Sequence, residues 1–123
     1  MEEIRELIQK ELNKLDFDCG IPIPDGMVTS TYFGYELQEN YTSSDLNGFY
    51  EMEISLTGRL VRRNNIEEDS LKLLYDDLEK LKQVLKSLNF KYSYNDINFD
   101  DNYKKVFVKA NAFYYESNKE LIR

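Results

Sequence analysis

The sequence predicts an α+β fold in which two helices pack on one face of a mainly antiparallel sheet of about four strands. In residues 49–64, FYEMEISLTGRLVRRN, apolar and polar side chains alternate, which is the period of a strand with one buried and one exposed face. Residues 2–15 and 65–89 instead place Leu and Ile three and four positions apart, the period of helices that bury one side. At 123 residues the chain is long enough for one domain, expected over residues 1–123, and too short for two ordinary ones.

The first helix is predicted over residues 2–15, and a connector is predicted after it. The helix is expected to pack on the core through an apolar stripe made of Ile4, Leu7, Ile8, Leu12 and Leu15. Residues 17–27, FDCGIPIPDGM, contain both prolines and two of the five glycines. They therefore cannot continue the helix, and they have few backbone donors for a sheet.

Two strands are predicted on either side of a long polar loop. Residues 28–37 are rich in β-branched and aromatic side chains, and Gly34 among them marks a bulge or a close approach of another backbone segment. We expect these residues to form an antiparallel hairpin with residues 49–64. In the loop between them, Tyr41 and Leu46 are apolar side chains in a polar stretch, which makes both candidate contact residues.

A second helix is predicted from Asn65 to Asn89. Asn65 with Glu68 three positions later matches a variant of the capping box, in which side chains satisfy the first backbone N–H groups of the helix. Leucines then recur at helical spacing. Asn89 is suited to end the helix because asparagine tolerates the left-handed backbone conformation.

The last third of the chain predicts two more strands. Residues 90–94 alternate as a short edge strand, and NDINFDDN after them is predicted to be a turn cluster. Residues 103–115 alternate again, but Phe107 and Phe113 make the second face of this strand only partly polar, so a helix or another subunit is expected to cover it. Residues 117–123 are expected to fray or to dock on a neighbour.

The composition predicts a protein that is not an enzyme and has no cofactor or metal. The chain has no histidine, which excludes the common zinc sites and the Ser-His and Cys-His catalytic schemes. Cys19, the single cysteine, is interpreted as a small buried hydrophobe; a nucleophile would need another base nearby. The absence of an internal disulfide pair suits a reducing compartment.

Two acidic patterns partly match functional sites. Asp96, Asn98 and Asp100 match the first, third and fifth ligand positions of a calcium loop, but Asp101 replaces the glycine of that loop and no glutamate closes it. Glu51 and Glu53 lie on the exposed face of their strand and would form a general acid and base only if they were buried. The acidic residues of the second helix, Asp76, Asp77 and Glu79, are predicted to lie on its solvated side.

The net charge of −7 argues against nucleic acid and anionic membranes as partners, because this sign repels phosphate. Arg59, Arg62 and Arg63 cluster near one strand end and are interpreted as a solvated rim. No stretch has the pattern of a signal peptide or the length of a membrane span, so a cytosolic protein is expected.

As a whole, the chain resembles the tail terminator, or tail completion, proteins of long-tailed bacteriophages and prophages. The resemblance lies in the opening helix, the segment IPIP before the aromatic strand TYFGYEL, the strand YEMEISLTGRLVRR, a helix that leaves through SLNF, and the late strand VFVKANAFYYE. It implies a homo-hexameric ring that caps the tail tube and meets the head connector, first in the host cytoplasm and then in the virion tail. It implies no catalytic residue, and an acidic lumen would let DNA pass without holding it.

Two alternatives stay open beside this resemblance. One is a monomeric acidic binding module of the inhibitor or immunity type, steered by its charge to a basic partner. The other is a small hydrolase that uses carboxylates alone. On any interaction hypothesis, the candidate contact residues are Tyr41, Leu46, Glu51, Glu53, Arg59, Arg62, Arg63, Phe107 and Phe113.

Overall fold

The structure is a computed structural model that describes residues 2–41, 51–65, 69–99, 102–115 and 120–122. Within these ranges the elements are, in order, α1 (Glu2–Leu12), β1 (Asp18–Gly20), a 3-10 turn (Asp25–Met27), β2 (Thr31–Tyr41), β3 (Glu51–Arg63), α2 (Ser70–Ser87), β4 (Lys91–Phe99), β5 (Tyr103–Tyr115) and β6 (Glu120–Ile122). The predicted α+β class, with a mainly antiparallel sheet and two helices, is confirmed.

The strands form one sheet in the order β1-β2-β3-β5-β4, and β6 pairs with the far end of β5. Every pairing is antiparallel except that of β1 with β2. The sheet therefore has more strands than the four expected. The two additional ones are three-residue strands, β1 in the predicted connector and β6 in the segment expected to fray. Such short strands lack enough side chains to produce a visible alternation.

β3 lies at the centre of the sheet and pairs along its full length with β5. Its predicted buried face is confirmed, because Ile54, Leu56 and Leu60 are fully buried. Both helices pack on this side: α1 lies against β1 and α2, and α2 crosses β3 and β5. We call it the helix face, and the opposite side the second face. The helix face and the two helices share a single core cluster.

The helices differ from the prediction mainly at their ends. α1 stops at Leu12 rather than Leu15, and Leu7 is exposed while Ile4 and Ile8 are buried. The predicted cap of the second helix at Asn65 is wrong. The helix begins at Ser70, and Asp69 accepts a hydrogen bond of 3.1 Å from the backbone N–H of Lys72. Glu68, the proposed partner of Asn65, lies outside the described residues.

The end of α2 is confirmed, and the turn cluster predicted after it is wrong. Asn89 has a positive φ of 66°, the left-handed conformation expected of a residue that ends a helix. Residues 95–99, by contrast, belong to β4, where Asp96 lies opposite Phe107 and Ile97 lies opposite Val106. Pairing with β5 satisfies the backbone groups on one edge of these polar residues, so they form a strand and not a turn. Asp100 and Asp101 lie outside the described residues.

Candidate functional site

The second face of the sheet is covered at one end by the proline segment, which we define as residues 21–28. This segment follows β1 and contains the 3-10 turn Asp25–Met27. Its last residue, Val28, is buried, and so is Val61 of β3, although Val61 points away from the helices. The cover explains why an apolar side chain occupies that position of an otherwise polar strand face.

The backbone of the proline segment is held by side chains of the sheet. The hydroxyl of Tyr32 donates a hydrogen bond of 2.6 Å to the carbonyl oxygen of Ile21. Nη2 of Arg59 donates one of 3.3 Å to the carbonyl oxygen of Ile23. These two bonds satisfy carbonyl groups that would otherwise have no partner within the sheet.

Asp25 joins the proline segment to two cations of the second face. Its Oδ1 lies 2.6 Å from Nη2 of Arg59, and its Oδ2 lies 2.5 Å from Nζ of Lys105. These two ion pairs link the 3-10 turn to β3 and β5 at once. The interpretation of Arg59 as part of a solvated rim holds only in part: its side chain is 32% exposed, but its guanidinium is paired with Asp25 of the proline segment.

A cleft of about 300 Å³ lies between the proline segment and the sheet. Its lining residues are Pro22, Ile23, Val28, Tyr32, Gly34, Glu36, Thr57, Gly58, Arg59, Val61 and Phe107. Most of these contribute apolar atoms, while the exposed side chains of Glu36 and Thr57 supply polar atoms. The lining of the cleft is therefore mostly apolar and includes one side chain of each charge, Glu36 and Arg59.

Arg62 does not belong to the second face. It points to the helix face, where Nη1 donates a hydrogen bond of 2.7 Å to Oγ1 of Thr31 and lies 3.4 Å from Oδ2 of Asp77. Thr31 in turn donates a hydrogen bond of 3.0 Å to Asp77. Thr31 and Asp77 are buried. Two predictions are therefore wrong: that Arg62 is a solvated rim residue, and that Asp77 lies on the solvated side of its helix. Both side chains can be buried because their opposite charges neutralise each other.

The structure brings several of the other predicted contact residues together across β3 and β5. Arg59 lies opposite Phe107, and Glu53 lies opposite Phe113. Both phenylalanines are half-buried. Arg63 is exposed at the end of β3. Tyr41 and Glu51 are described only through their backbone pairing, with Met52 and Tyr115 respectively, and Leu46 lies outside the described residues.

Sequence reasoning missed the anchors of the proline segment, Asp25 and Lys105. They lie far apart in the chain, and no local pattern relates them. One signal did exist. Gly34 was expected to mark a bulge or a close backbone approach, and the close approach is confirmed, since a Cβ atom on this residue would lie 2.8 Å from Cα of Pro22.

The thiol of Cys19 is not poised for nucleophilic chemistry. Burial, with a smaller contribution from the charge of Asp18, raises the pKa of this thiol to about 12. It is therefore protonated at neutral pH, whereas the thiolate is the reactive form.

Among the described residues, no group of three His, Cys, Asp or Glu side chains is arranged to hold a metal ion. Glu53 accepts a hydrogen bond from its neighbour Ser55.

No helix in the described part of the chain has the length and apolar character needed to cross a membrane. No protein-family model matches the sequence, and no curated protein sequence is significantly similar to it.

Proposed function

We propose that this protein is a structural subunit of a phage or prophage tail, which assembles into a hexameric ring of the tail terminator type. The ring caps the tail tube and joins it to the head connector. Each subunit acts through contacts and not through catalysis. The chain is made in the host cytoplasm and ends in the virion tail.

The observation that carries this proposal is the half-covered second face of the sheet. Three long strands, β2, β3 and β5, form this face, and the described residues place no helix on it. The proline segment covers only the end near Val28 and Val61. The remaining area mixes charged residues with the half-buried rings of Phe107 and Phe113, a composition suited to a contact surface with a polar rim.

A ring subunit on a tube needs contacts with its neighbours and a separate surface for the tube or the connector. We assign the second face to the tube or the connector. The net charge of −7 supports this role, because an acidic ring lumen repels the DNA that passes through it.

The test is a capping assay with tubes polymerised from the tail tube protein of the same phage. Added wild-type protein should stop tube elongation at stoichiometric amounts, and negative-stain images should show rings at tube ends. Thr57→Arg, on the second face, should abolish capping, whereas Gln83→Arg, on the exposed side of α2, should not. Unchanged tube lengths with the wild-type protein would refute the proposed function.

The acidic net charge also favours a second candidate, a monomeric module that binds a basic protein. This candidate predicts no assembly at any concentration. It also predicts salt-sensitive association with a basic partner, because exposed charges are screened at high ionic strength.

A further inference from the structure

The described sheet ends in two edges of different sequence. On one side, β4 pairs with β5 through one edge, and no described strand pairs with its other edge. On the other side, β1 covers only Tyr32–Gly34 of β2, so residues 35–41 of β2 have no described partner strand on that side. Unpaired edges expose backbone N–H and C=O groups that are ready to pair with another strand.

These two edges run in opposite directions. The pairings of β2 with β3, β3 with β5 and β5 with β4 are all antiparallel, so β4 is antiparallel to β2 within the same sheet. A second copy in the same orientation, placed beside the first, therefore presents β2 antiparallel to β4. Such a contact joins different surfaces of the two copies, and repeated contacts of this kind produce closed rings or open filaments.

The side chains at the β4 edge fit a protein contact. Tyr94 is 52% exposed and Ile97 is 42% exposed, two large apolar residues on one outer strand. An exposed edge with apolar side chains is unfavourable in a monomer, because it promotes pairing with other chains. A partner strand would cover both residues.

The two edges differ in charge: β2 is acidic, and β4 is neutral overall. β2 contains Glu36 and Glu39 and no basic residue. β4 begins with Lys91, and Nζ of Lys82 in α2 lies 5.7 Å from the ring centroid of Tyr92 in β4. Asp96 is the single acidic residue of β4, so this strand carries one charge of each sign.

We infer that the β4 edge of one copy pairs antiparallel with residues 35–41 of β2 in the next copy, so that the sheet continues from subunit to subunit. This inference rests on the proposed ring and specifies its subunit contact. The second face of each subunit then stays available for the tube or the connector.

Disulfide cross-linking tests this contact directly. Gln38 of β2 lies opposite Ser55, and Tyr94 of β4 lies opposite Lys109. Ser55 and Lys109 point to the second face, so Gln38 and Tyr94 point there too. In a Cys19→Ala background, the double variant Gln38→Cys with Tyr94→Cys should form a ladder of linked oligomers under oxidation. The double variant Gln38→Cys with Asp96→Cys tests a pairing of the two strands that is shifted by two residues along β4. Each single variant should give at most a linked dimer, because one cysteine per chain cannot extend a ladder.

A charge substitution provides the second measurement. Tyr94→Glu places a negative charge on the second face, where Glu36 of β2 also lies, and it should weaken assembly of the full chain by about tenfold in dissociation constant. The matched control is Tyr75→Glu on α2, where the tyrosine is 41% exposed, and it should assemble like wild type.

The outcomes separate the contact from the ring. If wild-type rings form while the double-cysteine variants give no ladder and Tyr94→Glu assembles normally, the edge contact is refuted and the proposed ring stands. If the wild-type chain remains a monomer even on tail tubes, both are refuted.

Discussion

Pro22 packs directly on Gly34, so that a Cβ atom on residue 34 would lie 2.8 Å from Cα of Pro22. This distance is shorter than a van der Waals contact, and the atom that would have to move belongs to a backbone. Gly34→Ala should therefore push the proline segment from the sheet and lower the free energy of unfolding by about 1–3 kcal/mol, measured by urea titration.

Gly26 is the matched control for this substitution. It lies in the same proline segment, and a Cβ atom built on it meets no other atom within 4 Å. Gly26→Ala should change the free energy of unfolding by less than about 0.5 kcal/mol. Equal effects of the two substitutions would show that the proline segment does not lie on the second face.

The pair of Arg62 and Asp77 should contribute strongly to stability. The two side chains are only 13% and 12% exposed, so removal of the Asp77 charge breaks a largely buried ion pair. Asp77→Asn should lower the free energy of unfolding by about 3 kcal/mol. Asp76→Asn, at the exposed neighbouring position, should leave the urea midpoint unchanged. A wild-type midpoint for Asp77→Asn would contradict the buried pair.

The raised pKa of Cys19 predicts a loss of stability at alkaline pH. The thiol titrates near 9.0 in the unfolded chain and near 12 in the folded one. Within this window the folded state holds one proton more than the unfolded state, so the free energy of unfolding falls as pH rises. Cys19→Ala removes this contribution, and its stability should fall less steeply than that of the wild type across the same window. Parallel slopes would show that the thiol is not buried in the folded protein.

The face assignment of β3 can be tested with two adjacent residues. Ile54 is fully buried on the helix face, and Ile54→Asp places an unpaired charge in the core. This variant should show no cooperative unfolding transition. Ser55 lies on the second face, where its hydroxyl contacts Asn40 and Glu53, and Ser55→Asp should remain folded by circular dichroism. Similar loss of structure in both variants would overturn the assignment.

Side-chain periodicity predicted the parts of the fold in which one face is buried along a whole element. The alternation around Ile54 and the leucine spacing in α2 reflect burial directly, so both were readable from the sequence. The sequence of Asn95–Phe99 predicts a turn because asparagine and aspartate favour turns locally. In the fold, pairing with β5 decides their structure.

The candidate site was less predictable because its key contacts are long-range. Asp25 meets Lys105 only after the proline segment crosses the sheet, and Asp77 is buried only because Arg62 reaches it from β3. A helical pattern assigns a lone aspartate to solvent, since it contains no information about a counter-ion on another element. The composition of the second face, by contrast, was visible in Phe107 and Phe113.

The most direct test of the central claim is the mass of the wild-type assembly, measured by sedimentation velocity on the purified chain and on the chain released from capped tail tubes. We predict a species of six times the 14.7 kDa mass of one chain, in rings with a central opening. A chain that sediments as a monomer in both preparations would contradict the ring.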